Sequence, residues 1–98
     1  MQKTSSRYYT IKQIKQFYTD NEEKLNKKVL YLDSLFSDID IAQTFMIAFH
    51  EAHQKAIENK KGEIITSHFD YDDNYSHIIY RHPVNGIIEE TMVLEKSK

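Results

Sequence analysis

The sequence predicts a single α+β domain over residues 1–98, with two or three N-terminal helices followed by a three-stranded antiparallel β-meander packed on them. Three observations lead there. Helix-start signals with helical apolar spacing recur up to residue 61. The apolar period changes from about 3.6 to 2 after Gly62. Two turn signals, Asp72-Asp73-Asn74 and Pro83-Val84-Asn85-Gly86, then divide the remainder into strand-length pieces.

Thr10 followed by Gln13 has the form of a capping box, with Ile11, Ile14 and Phe17/Tyr18 on one side of the helix behind it. Thr19-Asp20-Asn21-Glu22-Glu23 offers a second start, with acids in a first turn where the helix dipole favours them. Leu25, Val29, Leu32 and Phe36 follow at helical spacing and continue the earlier phase, so residues 11–36 are either two helices or one bent helix. Ser37 or Asp38 caps the next helix. Its stripe of Ile41, Ala42, Phe45, Met46, Phe49, Ala52, Ala56 and Ile57 is the clearest periodic pattern in the chain. On this phase Asp40, Gln43, His50, Glu51, Gln54, Lys55 and Glu58 face water, and Gly62 is the left-handed stop.

Residues 63–71, 75–82 and 87–94 are rich in Ile, Tyr, Thr, Val and Phe, which suit strands. If Asn85-Gly86 forms a type I′ hairpin, Arg81 opposes Glu90 and His82 opposes Glu89. That register places Ile65, Phe69, Ile79, Ile88, Met92 and Leu94 on the core face. Ile64, Thr66, His68, Ile78, Tyr80, Ile87, Thr91 and Val93 then form a second face too apolar for a plain wet surface. The expected partner-binding residues are Ile64, Thr66, His68, Ile78, Tyr80, Thr91 and Val93, together with the acidic Asp70, Asp72 and Asp73.

Charge divides along the chain. Residues 1–61 carry +2 and residues 62–98 carry −4, for a total of −2. The acidic sheet half is either ordinary solubilising charge or a surface for a basic protein partner, and the charge pattern argues against nucleic acid. Lys12, Lys15, Lys24, Lys27 and Lys28 are cationic, but the third helix exposes Asp40, Glu51 and Glu58 where a groove reader needs Lys or Arg.

There is no cysteine, which excludes disulfides, thiolate metal sites and thiol nucleophiles. Residues 1–7 precede no apolar stretch of the signal-peptide kind, and the longest strictly apolar run, Phe45 to Phe49, is far below the roughly 20 residues of a membrane span. A cytoplasmic protein with no membrane segment is the expectation, with 1–7 and 95–98 as flexible tails. His50-Glu51-Ala52-His53 spaces its histidines three apart rather than four, so it is not the zinc-protease motif. An exposed His50 and a packed, hydrogen-bonded His53 are expected, with no metal or other cofactor. Asp70, Asp72 and Asp73 lack the glycine and distal glutamate of a calcium loop and suit a turn. No serine has a nucleophile-elbow context, and two glycines cannot build a phosphate loop. The sequence therefore favours a small non-enzymatic binding protein that regulates or inhibits another macromolecule. Its competitors are a homodimer joined through the sheet and, behind that, a small DNA-binding regulator.

Overall fold

The computed structural model describes residues 8–32 and 35–96, and it replaces the expected architecture with one helix on a five-stranded sheet. The elements are β1 (Tyr9–Tyr18), β2 (Lys24–Tyr31), α1 (Ile39–Asn59), β3 (Glu63–Asp70), β4 (Tyr75–His82) and β5 (Gly86–Lys96). Every pairing is antiparallel and the strand order is β2-β1-β5-β4-β3. The expected N-terminal helices are thus a β-hairpin. It adds to the C-terminal meander through a ladder that runs from Tyr9↔Lys96 to Tyr18↔Ile87. The expected tail at 95–98 is corrected in part, since Glu95 and Lys96 belong to β5. Residues 1–7, 97 and 98 lie outside the described residues.

The physical reason for the N-terminal difference is that β1 carries apolar residues on both faces. Ile11 and Phe17 point to the helix side, Ile14 and Tyr18 to the other. Residues of mixed parity at 11, 14, 17 and 18 imitate steps of three and four. The content of β1, Tyr, Thr, Ile, Ile, Phe and Tyr in ten residues, carries the strand preference instead. The apparent helix start at Thr19 is the β1–β2 turn. Thr19 Oγ1 accepts from the Glu23 N–H at 3.1 Å, the Glu22 N–H donates to the Thr19 carbonyl, and Glu22 sits at φ 65°. A hydroxyl that can cap a helix can equally close a turn.

The helix begins where its cap residue says. Asp38 Oδ1 accepts from the N–H groups of Asp40 (2.7 Å) and Ile41 (3.4 Å). It ends in a Schellman arrangement in which Lys61, not Gly62, adopts the left-handed conformation at φ 64°. The Gly62 N–H then reaches the Ile57 carbonyl at 2.8 Å. The buried stripe is rotated from the expected one. Ala42, Met46, His50 and Ile57 are buried, while Ile41, Phe45, Ala52 and Ala56 are exposed.

The core lies between α1 and one face of the sheet in two clusters. Ile11, Met46 and Met92 form one, with Leu32, Phe36, Phe49, Phe69 and Leu94 against them. Ile57, Ile78, Tyr80 and Ile88 form the other, with Phe17 and Ile64. Each fully buried Ile or Met contributes about 1.5–3 kcal/mol relative to exposure.

The β4–β5 register also differs from expectation. His82 pairs with Gly86 and Arg81 with Ile87, so Arg81/Glu90 and His82/Glu89 are not opposed. Asn85 does not take positive φ. Gly86 alone does, at φ 82°, which makes the connection a three-residue loop of Pro83, Val84 and Asn85. His82 Nδ1 closes it by accepting from the Val84 and Asn85 N–H groups at 3.0 and 3.1 Å. The register moves by an odd number of residues, so β4 changes face relative to β5. On β3 a bulge at Ile65 sets two residues against Ile79, parting Ile64 from Thr66 and His68.

A Cβ on Gly86 would stand 2.6 Å from the Tyr18 carbonyl oxygen at a φ that L residues avoid. Gly86→Ala is expected to cost about 2 kcal/mol or more in urea unfolding. Val84→Ala in the same loop, at a residue 85% exposed, should stay within about 0.5 kcal/mol.

Candidate functional site

With α1 on one side, the opposite face of the sheet has no element across it among the described residues. Its central strands present Lys12, Ile14, Gln16 and Tyr18 from β1, Ile87, Glu89, Thr91 and Val93 from β5, and Tyr75, His77, Ile79 and Arg81 from β4. The edges add Val29 and Tyr31 from β2, and Ile65, Thr66, His68 and Asp70 from β3. Alternation sorts these side chains. Ser76, Ile78 and Tyr80 on the helix side are buried, whereas Tyr75, His77 and Ile79 are partly exposed.

The ten residues expected to bind a partner therefore divide. Thr66, His68, Thr91 and Val93 share the uncovered face, with Asp70 at its lower corner. Ile78 and Tyr80 are in the core beneath the helix, and Ile64 packs beside them. Asp72 and Asp73 lie in the β3–β4 turn, where their N–H groups donate to Asp70 Oδ1 at 2.9 and 3.1 Å. Ile79 and Ile65, expected in the core, are on the open face instead, as are Ile14 and Tyr18, which a helical reading of β1 hides.

At the upper end of this face is a depression of about 340 Å³. Ile65, Ile79 and Ile87 form its floor, with Tyr18, Glu22 and Glu89 around it. Glu89 is held from two sides. His77 Nε2 lies 2.7 Å from Oε2, and the Tyr18 hydroxyl donates to Oε1 at 2.8 Å. The His77 hydrogen bond is the main cause that holds the Glu89 carboxyl below its ordinary range. Partial burial opposes it and Tyr18 adds to it. Donation to Glu89 raises the Tyr18 hydroxyl, with burial and the carboxylate charge acting the same way.

Glu90, one residue on, repeats this chemistry on the helix side. It is only 4% exposed. His53 Nε2 lies 2.7 Å from Oε2, the Tyr80 hydroxyl donates to the same oxygen at 2.6 Å, and Gln13 Nε2 donates to Oε1 at 2.8 Å. Burial pushes the Glu90 carboxyl up, but the bonds from His53 and Tyr80 together outweigh it and leave the group below its usual value. Burial and then Glu90 push the Tyr80 hydroxyl well up. His50, expected in water, is 7% exposed and bridges two serines, with Ser76 Oγ at 2.6 Å from Nδ1 and Ser67 Oγ at 3.1 Å from Nε2. Burial chiefly holds its imidazolium below the usual range, and His53 and His68 add repulsion against a pull from Glu51. No cluster of three or more potential metal ligands occurs among the described residues.

Both carboxylates make the folded state sensitive to acid. A carboxyl whose folded value lies below its ordinary 4.5 stabilises the fold above that pH, and the contribution is lost as pH falls through the folded value. Glu90→Gln should cost about 1–3 kcal/mol at pH 7. It should also flatten the decline in urea midpoint below pH 4.5 relative to wild type; parallel declines would show that Glu90 does not supply this acid sensitivity.

No family model, curated protein or solved structure matches this chain, so the roles of these residues rest on their own geometry.

Proposed function

We propose that this chain is a non-enzymatic binding protein that docks a partner protein on its uncovered sheet face and regulates or inhibits that partner. The observation that carries the reading is the face itself. Ile14, Ile79, Ile87, Val93 and Ile65 lie on one side of a five-stranded sheet whose single helix packs on the other. Ile65 is 48% exposed and Ile14, Ile79 and Val93 are partly exposed, and apolar side chains grouped on an uncovered sheet face are a common mark of a protein interface.

The charge at the depression supports a basic partner, since the cations of the central strands on this face, Lys12 and Arg81, are already paired with Glu95 and with Glu63 and Asp20. Glu22 and Glu89 border the depression, and Asp70, Asp72 and Asp73 lie at the other end of β3. An Arg or Lys of the partner would lay its aliphatic stem on Ile65, Ile79 and Ile87 and its cation near the carboxylates. The homodimer reading uses the same face and differs only in the occupant.

The test charges the open face without striking the core. Ile79→Arg sets a cation opposite Glu89, a favourable cross-strand pair, and repels a basic anchor. Wild type and variant should give the same circular dichroism. Proteins retained from source-cell lysate by wild type should be lost by Ile79→Arg. Equal retention by both would sink the proposal. Light scattering at ~100 µM separates the competitor: a wild-type dimer that Ile79→Arg converts to monomer would assign the face to a second copy.

A further inference from the structure

The helix side of the sheet holds a second concavity, independent of the open face. It lies where the last two turns of α1 approach β1 and the β4–β5 loop, and its volume is about 330 Å³. That is at the lower end of the roughly 300–1,000 Å³ usual for small-molecule sites.

Its lining separates into an apolar floor and a polar rim that carries two lysines. Phe17, Ile57 and Ile88 make the floor. Lys15, Lys60, His53 and His82 stand around it, and no Asp or Glu lines it. The ammonium of Lys28 adds charge from the side, 5.8 Å from the centre of the Phe17 ring. In a chain of net charge −2, such one-signed lining focuses a positive potential in the cavity. Glu90, cross-strand from Lys15, is beneath the surface with its oxygens taken by His53, Tyr80 and Gln13.

Two of the rim groups are fixed by the fold. His82 Nδ1 accepts two backbone N–H groups, so the ring proton is on Nε2 and available as a donor. His53 Nε2 is fixed to Glu90, which leaves Nδ1 without a hydrogen bond among the described residues. Two lysines and two positioned imidazoles around an aromatic and aliphatic floor match a ligand with an apolar ring and an anionic head.

We propose that this cavity binds a small amphipathic organic anion, a ring bearing one phosphate or carboxylate, with the ring on Phe17, Ile57 and Ile88 and the head between Lys15, Lys60 and His82. The experiment is a titration followed by amide chemical shifts in low salt, where exposed charges are least screened. The probes are phenyl phosphate, benzoate and benzylamine. Saturable shifts confined to the cavity residues are expected for an anion, with Kd of about 1 mM or below. A response to phenyl phosphate alone assigns a phosphate head, and a response to benzoate alone a carboxylate.

Lys15→Gln/Lys60→Gln should weaken that binding about tenfold or more, and benzylamine should not bind. Lys60→Gln alone, at an exposed helix end, keeps the test decisive if the double variant fails to fold. Ala56→Trp, which fills the cavity from an exposed helix position, should abolish binding. No saturable shift with either anion up to ~10 mM, equal binding of benzylamine, or affinities unchanged in the lysine variants would each overturn the proposal.

Discussion

The ladder between β1 and β5 is the constraint on which the rest of the molecule depends. Ten residue pairs, from Tyr9↔Lys96 to Tyr18↔Ile87, join the first strand to the last. Without it the meander β3-β4-β5 would have β5 as an unpaired edge, and the β1–β2 hairpin would have no sheet to join. Both core clusters also span it, since Ile11 packs with Met92 and Phe17 packs against the group holding Ile88. Such a ladder closes a loop of nearly the whole chain before its contacts contribute. The local hairpins and the helix are therefore the elements able to form first, and the β1–β5 pairing is the step that makes them one domain.

Parity along β5 then decides what each face can do. Ile87 and Ile88, Glu89 and Glu90 are neighbours in sequence, yet each pair is split between the open face and the core. Each glutamate finds one histidine and one tyrosine on its own side: His77 and Tyr18 for Glu89, His53 and Tyr80 for Glu90. The difference between the two sets is burial. Glu90 is a carboxylate sealed under the helix, where leaving it unpaired would cost several kcal/mol, about 3–5. Glu89 meets solvent and the open depression. A one-residue slip of β5 would leave an isoleucine and a glutamate on each face but turn Met92 out of the core and Thr91 or Val93 into it, so the residues after the doublets resist it.

The helix and the last three strands were legible in the sequence. Asp38 caps where a capping residue stands before an apolar stripe, and the alternation after Gly62 locates β3, β4 and β5 to within about two residues. The first two strands were hidden because β1 is apolar on both faces, and because the Thr19–Glu23 hydrogen bond of a turn uses the same residues as a helix cap. The β content of Tyr9, Thr10, Ile11, Ile14, Phe17 and Tyr18 was the available signal. The candidate site was half legible. Thr66, His68, Thr91 and Val93 are together as expected from their alternation. Ile78 and Tyr80 are across the sheet from them because Asn85 does not take positive φ, which moves the hairpin register by an odd step. Ile64 is parted from Thr66 by the Ile65 bulge. Neither a bulge nor a loop length is written in hydrophobic periodicity.

Among the described residues, the mismatch between one helix and five strands leaves two surfaces uncovered. Neighbouring strands lie about 4.8 Å apart, so five span roughly 20 Å, while a helix with its side chains is about 10 Å across. One helix therefore covers about half of one face and none of the other. On the helix side the remainder opens toward β1 and β2, where Lys15 and Lys28 stand opposite one another beside Phe17. Burial there would leave two ammonium groups unpaired, which makes this region suited to an anion rather than to a covering helix. On the other side Val29, Tyr31, Ile65 and Thr66 are exposed beside partly exposed Ile14, Ile79 and Val93, and Lys12 and Arg81 are paired with carboxylates. The two surfaces differ in chemistry because adjacent residues of the same strands point opposite ways, so a ligand on one side and a partner on the other contact alternate residues of a single sheet.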